Sequence, residues 1–349
     1  MNKLSKVSLT ALCGSLATIS AVKAGELSIA GGMTMTMTKK SGAVSGNPLG
    51  MASNITFTGS GELDGGQSVD LTISHTDKDA YSSAAMKLTT NSLGTFKLTQ
   101  ATGGAGIGGY DDNMPRAFEE AWDTGIGSGV DLAKGVGSST TLSYTTPSVA
   151  GTTLQLAVAP RNDGTSNNDK AVGGSSNALK GTGYDIVLDS SQDFGAFGAD
   201  LFAGYSVTEH DSGEVTGGDA IKDREEGVAG LTLSVGPVKA GFQRSIEYTG
   251  KNQGDSNVFG YKNTSFGVSF NVNDNLSISY AEFESVRGKV AHSNTGGPRP
   301  TTTVESMQAA YTMGGVSLKV ALNDLDNGTY TTGTANDAES SLVLLSLAF

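Results

Sequence analysis

One cysteine, one tryptophan, three histidines and seven prolines are all that 349 residues carry of those four types. The cysteine, Cys13, sits in a leader that reads MNKLSKVSLTALCGSLATISAVKAGEL. There Lys3 and Lys6 precede an apolar stretch from Val7 to Val22, and Val22-Lys23-Ala24 offers a cleavage site. Residues 1–24 are therefore expected to be a secretory signal peptide, with 25–349 as one mature domain. Thr10-Ala11-Leu12 does not match the pattern that precedes a lipid-modified cysteine. With Cys13 removed the mature chain has no thiol, so disulfides play no part in its stability even in an oxidising compartment. Beyond the leader no run of about 18 apolar residues occurs, which excludes a transmembrane helix but not a β-barrel. Basic charge is scarce as well. The formal charge is −12, and it falls to −15 once Lys3, Lys6 and Lys23 leave. That argues against a nucleic-acid partner, whose phosphates demand clustered Lys and Arg. It fits a protein that meets cations, or a well-solvated surface.

What fills the chain instead is a period of two. Residues 27–38, LSIAGGMTMTMT, put Leu27, Ile29, Gly31, Met33, Met35 and Met37 on one face and mostly Ser or Thr on the other. The same alternation recurs in NITFTGSGEL, SVDLTIS, AAMKLTT, TFKLTQ, TTLSYTT and TTLQLAV, and in nine further segments ending with SSLVLLSLAF. About sixteen strands are expected, an even number, with the register open near Phe259–Thr264 and around Glu282.

The links between these strands alternate short and long. Val235 and Val238, and Met313 and Val316, flank two-residue turns with a glycine in each. The third long link, residues 101–137, is the longest. Tight turns on one side and long loops on the other are the rhythm of a closed antiparallel barrel in a membrane. Thr34, Thr36, Asn54, Thr56, Thr58, Asp70 and Thr72 then face a wet interior, which a barrel of about sixteen strands is wide enough to hold. Tyr144, Tyr184, Tyr205, Tyr248, Tyr280 and Phe349 fall near strand ends, where aromatic girdles belong. In the last strand Val343, Leu345, Leu347 and Phe349 share the outward parity, whereas Leu342 and Leu344 point inward, against the pattern.

The signal peptide, the turn YTTPSVAG over Tyr144–Gly151, the long third loop and terminal Phe349 together resemble the general diffusion porins of Gram-negative outer membranes, particularly the alphaproteobacterial kind. The resemblance implies passage of small hydrophilic solutes, a homotrimer, and contact with outer-membrane lipid and lipopolysaccharide. It also implies recognition of the C-terminal strand, Phe349 included, by the barrel assembly machinery. Finally, it implies that the third loop folds into the lumen and narrows it.

That loop contains GYDDNMPRAFEEAWDTG. Pro115 suits the first position of a short helix and Gly125 its end, so a helix over about 115–122 is expected, with Phe118 and Trp122 on one face anchoring the loop to the wall. Asp111, Asp112, Glu119, Glu120 and Asp123, against Arg116 alone, would line the narrowest part and sort ions by sign. In the preceding hairpin Lys87 is expected directly across from Lys97 inside the lumen, like charges that need water or the loop's carboxylates between them. Lys239 and Lys319 are inward by parity too. Such a porin would carry a denser Arg cluster on its wall, and this chain has Thr there, so a mild cation preference is expected.

Other motifs lead nowhere. GAGIGG at 104–109 matches GxGxxG, but no strand–helix unit surrounds it. Asp324 and Asp326 lack the other ligands of an EF-hand. His75, His210 and His292 show no metal or catalytic spacing, and no catalytic constellation supports an enzyme. No cofactor is expected, with calcium on loop acids such as Asp111 and Asp112 kept as an alternative. The competing functions are a substrate-selective channel, which calls for an aromatic ladder or an Arg track, and a non-channel secreted or adhesive β protein, which calls for a fixed repeat.

Overall fold

The computed structural model describes residues 26–40, 49–63, 65–76, 83–137, 139–160, 162, 180–210, 222–250, 258–289 and 300–348. The expected signal peptide, His292 and Phe349 lie outside them.

Alternation of apolar and polar side chains commits each segment to a strand with one wet and one apolar face. Sixteen strands result: β1 (Leu27–Lys40), β2 (Leu49–Glu62), β3 (Ser68–Thr76), β4 (Ser83–Thr89), β5 (Thr95–Gln100), β6 (Thr141–Thr145), β7 (Thr152–Ala159) and β8 (Lys180–Asp193). The second half comprises β9 (Gly198–His210), β10 (Arg224–Val235), β11 (Val238–Tyr248), β12 (Val258–Asn271), β13 (Leu276–Lys289), β14 (Thr301–Met313), β15 (Val316–Asp326) and β16 (Ala338–Ala348). Each pairs antiparallel with its sequence neighbours, and β1 closes on β16 from Gly32↔Ala348 to Lys40↔Ser340. Closure leaves no strand edge, so every interior strand has its backbone groups paired on both sides, as a hydrocarbon surround requires.

The two-residue turns are in place, with Val235 paired to Val238 and Met313 to Val316. The region of open register holds a bulge between Val258 and Gly260, after which Glu282 and Glu284 face outward and Phe283 inward. His75 and His210, expected in loops from the sequence, belong to β3 and β9.

Met33, Met35, Leu71, Leu98, Leu142, Leu188, Leu233, Phe242, Phe266, Leu318 and Leu345 are exposed on the outside of the barrel. In water so broad an apolar surface would drive aggregation; against lipid it is the stable arrangement. Aromatics gather toward the short-turn end, where Phe96 meets Tyr144 at 4.8 Å and Phe194 stacks on Phe197 at 4.8 Å.

Candidate functional site

Inside the barrel the two halves of the wall differ. Among the described residues none before Thr99 is buried, so the inner faces of β1–β4 are wet. From β6 onward many inward positions are buried, and the third loop, residues 101–140, packs against much of this wall.

The loop is fastened by wall side chains that bind its backbone. Gly106 N donates to Gln155 on β7 (2.9 Å), and Ile107 N and Val136 N both donate to Asp185 Oδ2 on β8 (2.9 and 3.2 Å). Gln243 on β11 accepts from Asn113 N and donates to the carbonyls of Tyr110 and Asp111, each at 2.8 Å. Ser279 on β13 accepts from Ala117 N (2.9 Å), and Asn263 on β12 donates to Asp131 O (2.8 Å). On β10, Glu226 accepts from Lys134 N and Gly135 N (2.8 and 2.9 Å) and pairs with Arg224 at 3.0 Å, which donates to Gly135 O. A charged pair this deeply buried needs further partners, and the loop backbone supplies them to both Glu226 oxygens and to one terminal nitrogen of Arg224. Gly135 has φ +53, and a Cβ there would lie 2.1 Å from Asp185 Oδ2, so only glycine fits.

Apolar contacts complete the seat. Ala121 and Ile126 of the loop are buried against Phe283, Val304, Leu325 and Ala338, with Trp122 at the margin. Higher on the wall, Ile107 and Ala133 meet Val187, Phe202 and Val228. The inward Leu342, anomalous for a wet lumen, is buried, whereas Leu344 is partly covered.

The expected helix over 115–122 does not form. The segment is irregular and ends in a three-residue 3-10 turn, Ala121–Asp123. Its amides are taken by the wall instead: Phe118 N and Glu119 N both donate to Gln308 Oε1 (3.0 and 3.1 Å), as Ala117 N does to Ser279. Phe118 and Trp122 therefore share no helix face. Trp122 borders the apolar seat, whereas Phe118 lies beneath Lys319, whose Nζ is 5.2 Å from the ring centroid.

The acids divide. Asp112 is buried and accepts from Met114 N (3.2 Å), which makes it part of the loop's internal scaffold rather than its lumen edge. Burial pushes its carboxyl up to about 6. Arg116 forms an ion pair with Glu120 and donates to the carbonyls of Asp112 and Met114. Glu119 is half-buried and pushed up to about 7, by burial first and then by a hydrogen bond with Glu120. Burial also raises Asp111 and Asp123. Carboxylate oxygens of Glu119, Glu120 and Asp123 lie within 4.8 Å of one another.

On the opposite wall Lys87 pairs directly with Lys97 across β4 and β5. The carboxylate that relieves them is Asp70 of β3, 2.7 Å from Lys87 Nζ, not an acid of the loop. Lys239 projects inward beside the β10–β11 turn. Loop 8, residues 327–337, also reaches the third loop: Thr329 N donates to Ser128 O (2.8 Å), and the Tyr330 hydroxyl accepts from Asp131 N (2.9 Å) and bonds Ser285 (2.8 Å). Asn327, Thr329 and Tyr330 hold φ of 53°, 56° and 59°, left-handed backbone that costs about 1–2 kcal/mol at residues such as Thr and Tyr. The sequence carries no glycine at these three positions to announce it. The wall residues that grip the third loop were legible only as oversized polar side chains at inward parity.

A family described as Gram-negative porin matches residues 8–330. No curated protein matches the sequence. The fold is similar to an anion-selective porin from Comamonas acidovorans, at 14% identity and TM-score 0.62, covering 93% of this chain and 100% of that one. It is similar as well to OmpF of Salmonella typhi (12%, TM-score 0.60, 93% and 98% covered) and to the trimer form of OmpT of Vibrio cholerae (12%, TM-score 0.58, 94% and 100% covered). Likeness at such identities shows the architecture. A closed barrel with its apolar side outward and a family match over most of its length place the chain among the Gram-negative porins, passive channels of the outer membrane.

Proposed function

We propose that small hydrophilic solutes and ions cross between the third loop and the wet wall of β1–β5, with a mild preference for cations. The observation that carries this is the asymmetry of burial: the loop's backbone is tied to the far wall, and inward residues before Thr99 keep contact with water. The loop contributes Asp111, Glu119, Glu120 and Asp123 to that gap, while its one arginine nearby is already paired with Glu120. Lys87 is offset by Asp70, which leaves Lys97 as the main opposing charge on the hairpin. Fixed charge at a constriction sorts ions by sign. The test is the reversal potential in a KCl gradient across a planar bilayer, and an anion-selective value would overturn the cation preference.

The assembly is proposed to be a homotrimer in contact with outer-membrane lipid and lipopolysaccharide. Gly31 and Gly59 on the outer face of β1 and β2 support close approach of a neighbour. The C-terminal strand, ending at Phe349, is proposed as the signal read by the barrel assembly machinery. Migration on semi-native gels before and after boiling separates trimer from monomer, and deletion of Phe349 tests the signal through trimer yield.

A further inference from the structure

Above the third loop, on its long-loop side, lies a cavity of about 530 Å³ bordered by Tyr261, Arg287, Tyr330, Asp131, Lys134 and Asp111. Its volume suits a small molecule. The cations there differ. Lys134 is engaged in an ion pair with Asp131. Arg287 has no ion pair and no hydrogen bond to any described residue, and its guanidinium lies 4.8 Å from the centre of the Tyr330 ring.

That stacking orients the fork without consuming its donors, because a cation over an aromatic face is held through the plane and leaves the N–H edge free. The platform itself is fixed. Tyr330 is anchored through its hydroxyl to Asp131 N and Ser285 and through its amide to Thr302 (3.1 Å), and it leans on Tyr261 at 5.6 Å. The chain holds Tyr330 there despite its left-handed backbone, a strain of the kind that persists where geometry serves a site.

We propose that this cavity is a solute-binding subsite for small organic carboxylates, with Arg287 receiving the carboxylate and the Tyr261–Tyr330 pair the body of the molecule. A planar guanidinium with free donors matches a carboxylate in a two-point bond. One cation without an ion pair among the described residues balances one negative charge, whereas a doubly charged anion would meet Asp131 and Asp111 in the same space. Val130, Leu132 and Ala133 add an apolar side suited to a carbon body. The inference rests on the channel reading, since a solute meets the cavity as it enters the barrel from the long-loop side.

The test is titration of benzoate, with benzyl alcohol and inorganic phosphate as controls, against KCl conductance of the full mature protein in planar bilayers. Measurable conductance without additive establishes the channel, so its absence would count against the channel reading and not against the subsite alone. Benzoate should reduce conductance saturably from the long-loop side, while benzyl alcohol and phosphate should not. In Arg287→Gln the half-blocking concentration should rise by roughly tenfold or more, with additive-free conductance and heat-modifiable migration retained. Arg287→Lys, which keeps the charge and loses the fork, should fall between the two. Equal block by benzyl alcohol or phosphate, or unchanged benzoate block in Arg287→Gln, would overturn the proposal. If Arg287→Gln fails to assemble, Arg287→Lys carries the test, and wild-type affinity in it would overturn the two-point bond.

Discussion

Gln308 clasps the backbone of Glu119 from both sides: its Oε1 accepts from Glu119 N at 3.1 Å and its Nε2 donates to Glu119 O at 2.6 Å. A carboxamide can do both at once because it carries a donor and an acceptor on one plane. Gln308→Leu should keep the shape of the wall and orphan the amides of Phe118 and Glu119. Each buried amide left without a partner costs about 1–3 kcal/mol. Hydrogen exchange at these amides should then rise by roughly tenfold or more, with exchange in β14 itself unchanged. Equal protection in the variant would mean that the loop is held elsewhere.

Phe283 is fully buried beneath Ala121 and Ile126 of the loop. Truncating such a residue to alanine costs about 3–5 kcal/mol when its surroundings cannot collapse. Here one side of the contact is a loop and not a strand, so the loss should appear as loop movement. Phe283→Ala is expected to raise single-channel conductance and its noise, with heat-modifiable migration on gels unaltered.

The loop's carboxyls also predict a dependence on pH. Glu119 rises from 4.5 to about 7 and Asp112 from 3.8 to about 6, both chiefly by burial. The seated loop thus binds more protons than the unfolded chain between the ordinary and the raised values. Seating is strongest below that window and weakens as pH climbs through it, while negative charge accumulates beside the pore. Cation preference, read as reversal potential, should increase between about pH 5 and pH 8. Glu119→Gln should remove most of the increase. A flat profile in the parent protein would contradict the placement of Glu119 at the pore's edge.

Lys87 and Lys97 face one another directly, and Asp70 compensates the first. Lys87 is nearly half exposed, so its ion pair contributes no more than about 1 kcal/mol. Lys87→Ala should therefore leave assembly intact and shift the reversal potential toward stronger cation preference, because it removes a positive charge and frees Asp70. Lys239→Ala, beside the β10–β11 turn, should change selectivity much less.

The barrel was legible because its signal is repeated in every strand: Met33, Met35 and Met37 alternate with threonines just as Leu318, Val320 and Leu322 do with lumen residues. The long third loop declared itself by length and composition. Its conformation did not, since Pro115 and Gly125 bracket a plausible helix while the amides between them are claimed by Ser279 and Gln308, more than 150 positions later. The inward fold of loop 8 was hidden for a related reason. Thr329 and Tyr330 adopt left-handed backbone that their residue types do not favour, held by partners distant in sequence: Ser128 and Asp131 of the third loop, and Ser285 and Thr302 on the wall. Leu342, conversely, was visible in the sequence as an anomaly, and it is buried in the fold.

The confinement of the third loop to one side of the wall separates two duties around the circumference. Strands β7–β16 carry the seat, and changes there disturb the loop's position along with whatever else they alter. Strands β1–β4 have inward side chains such as Thr34, Thr36, Thr58 and Thr72 that keep contact with water and are not buried under the loop. Those positions are free to vary in size and charge, so the permeability of this porin can diversify, in nature or by engineering, through residues on which its folding does not depend.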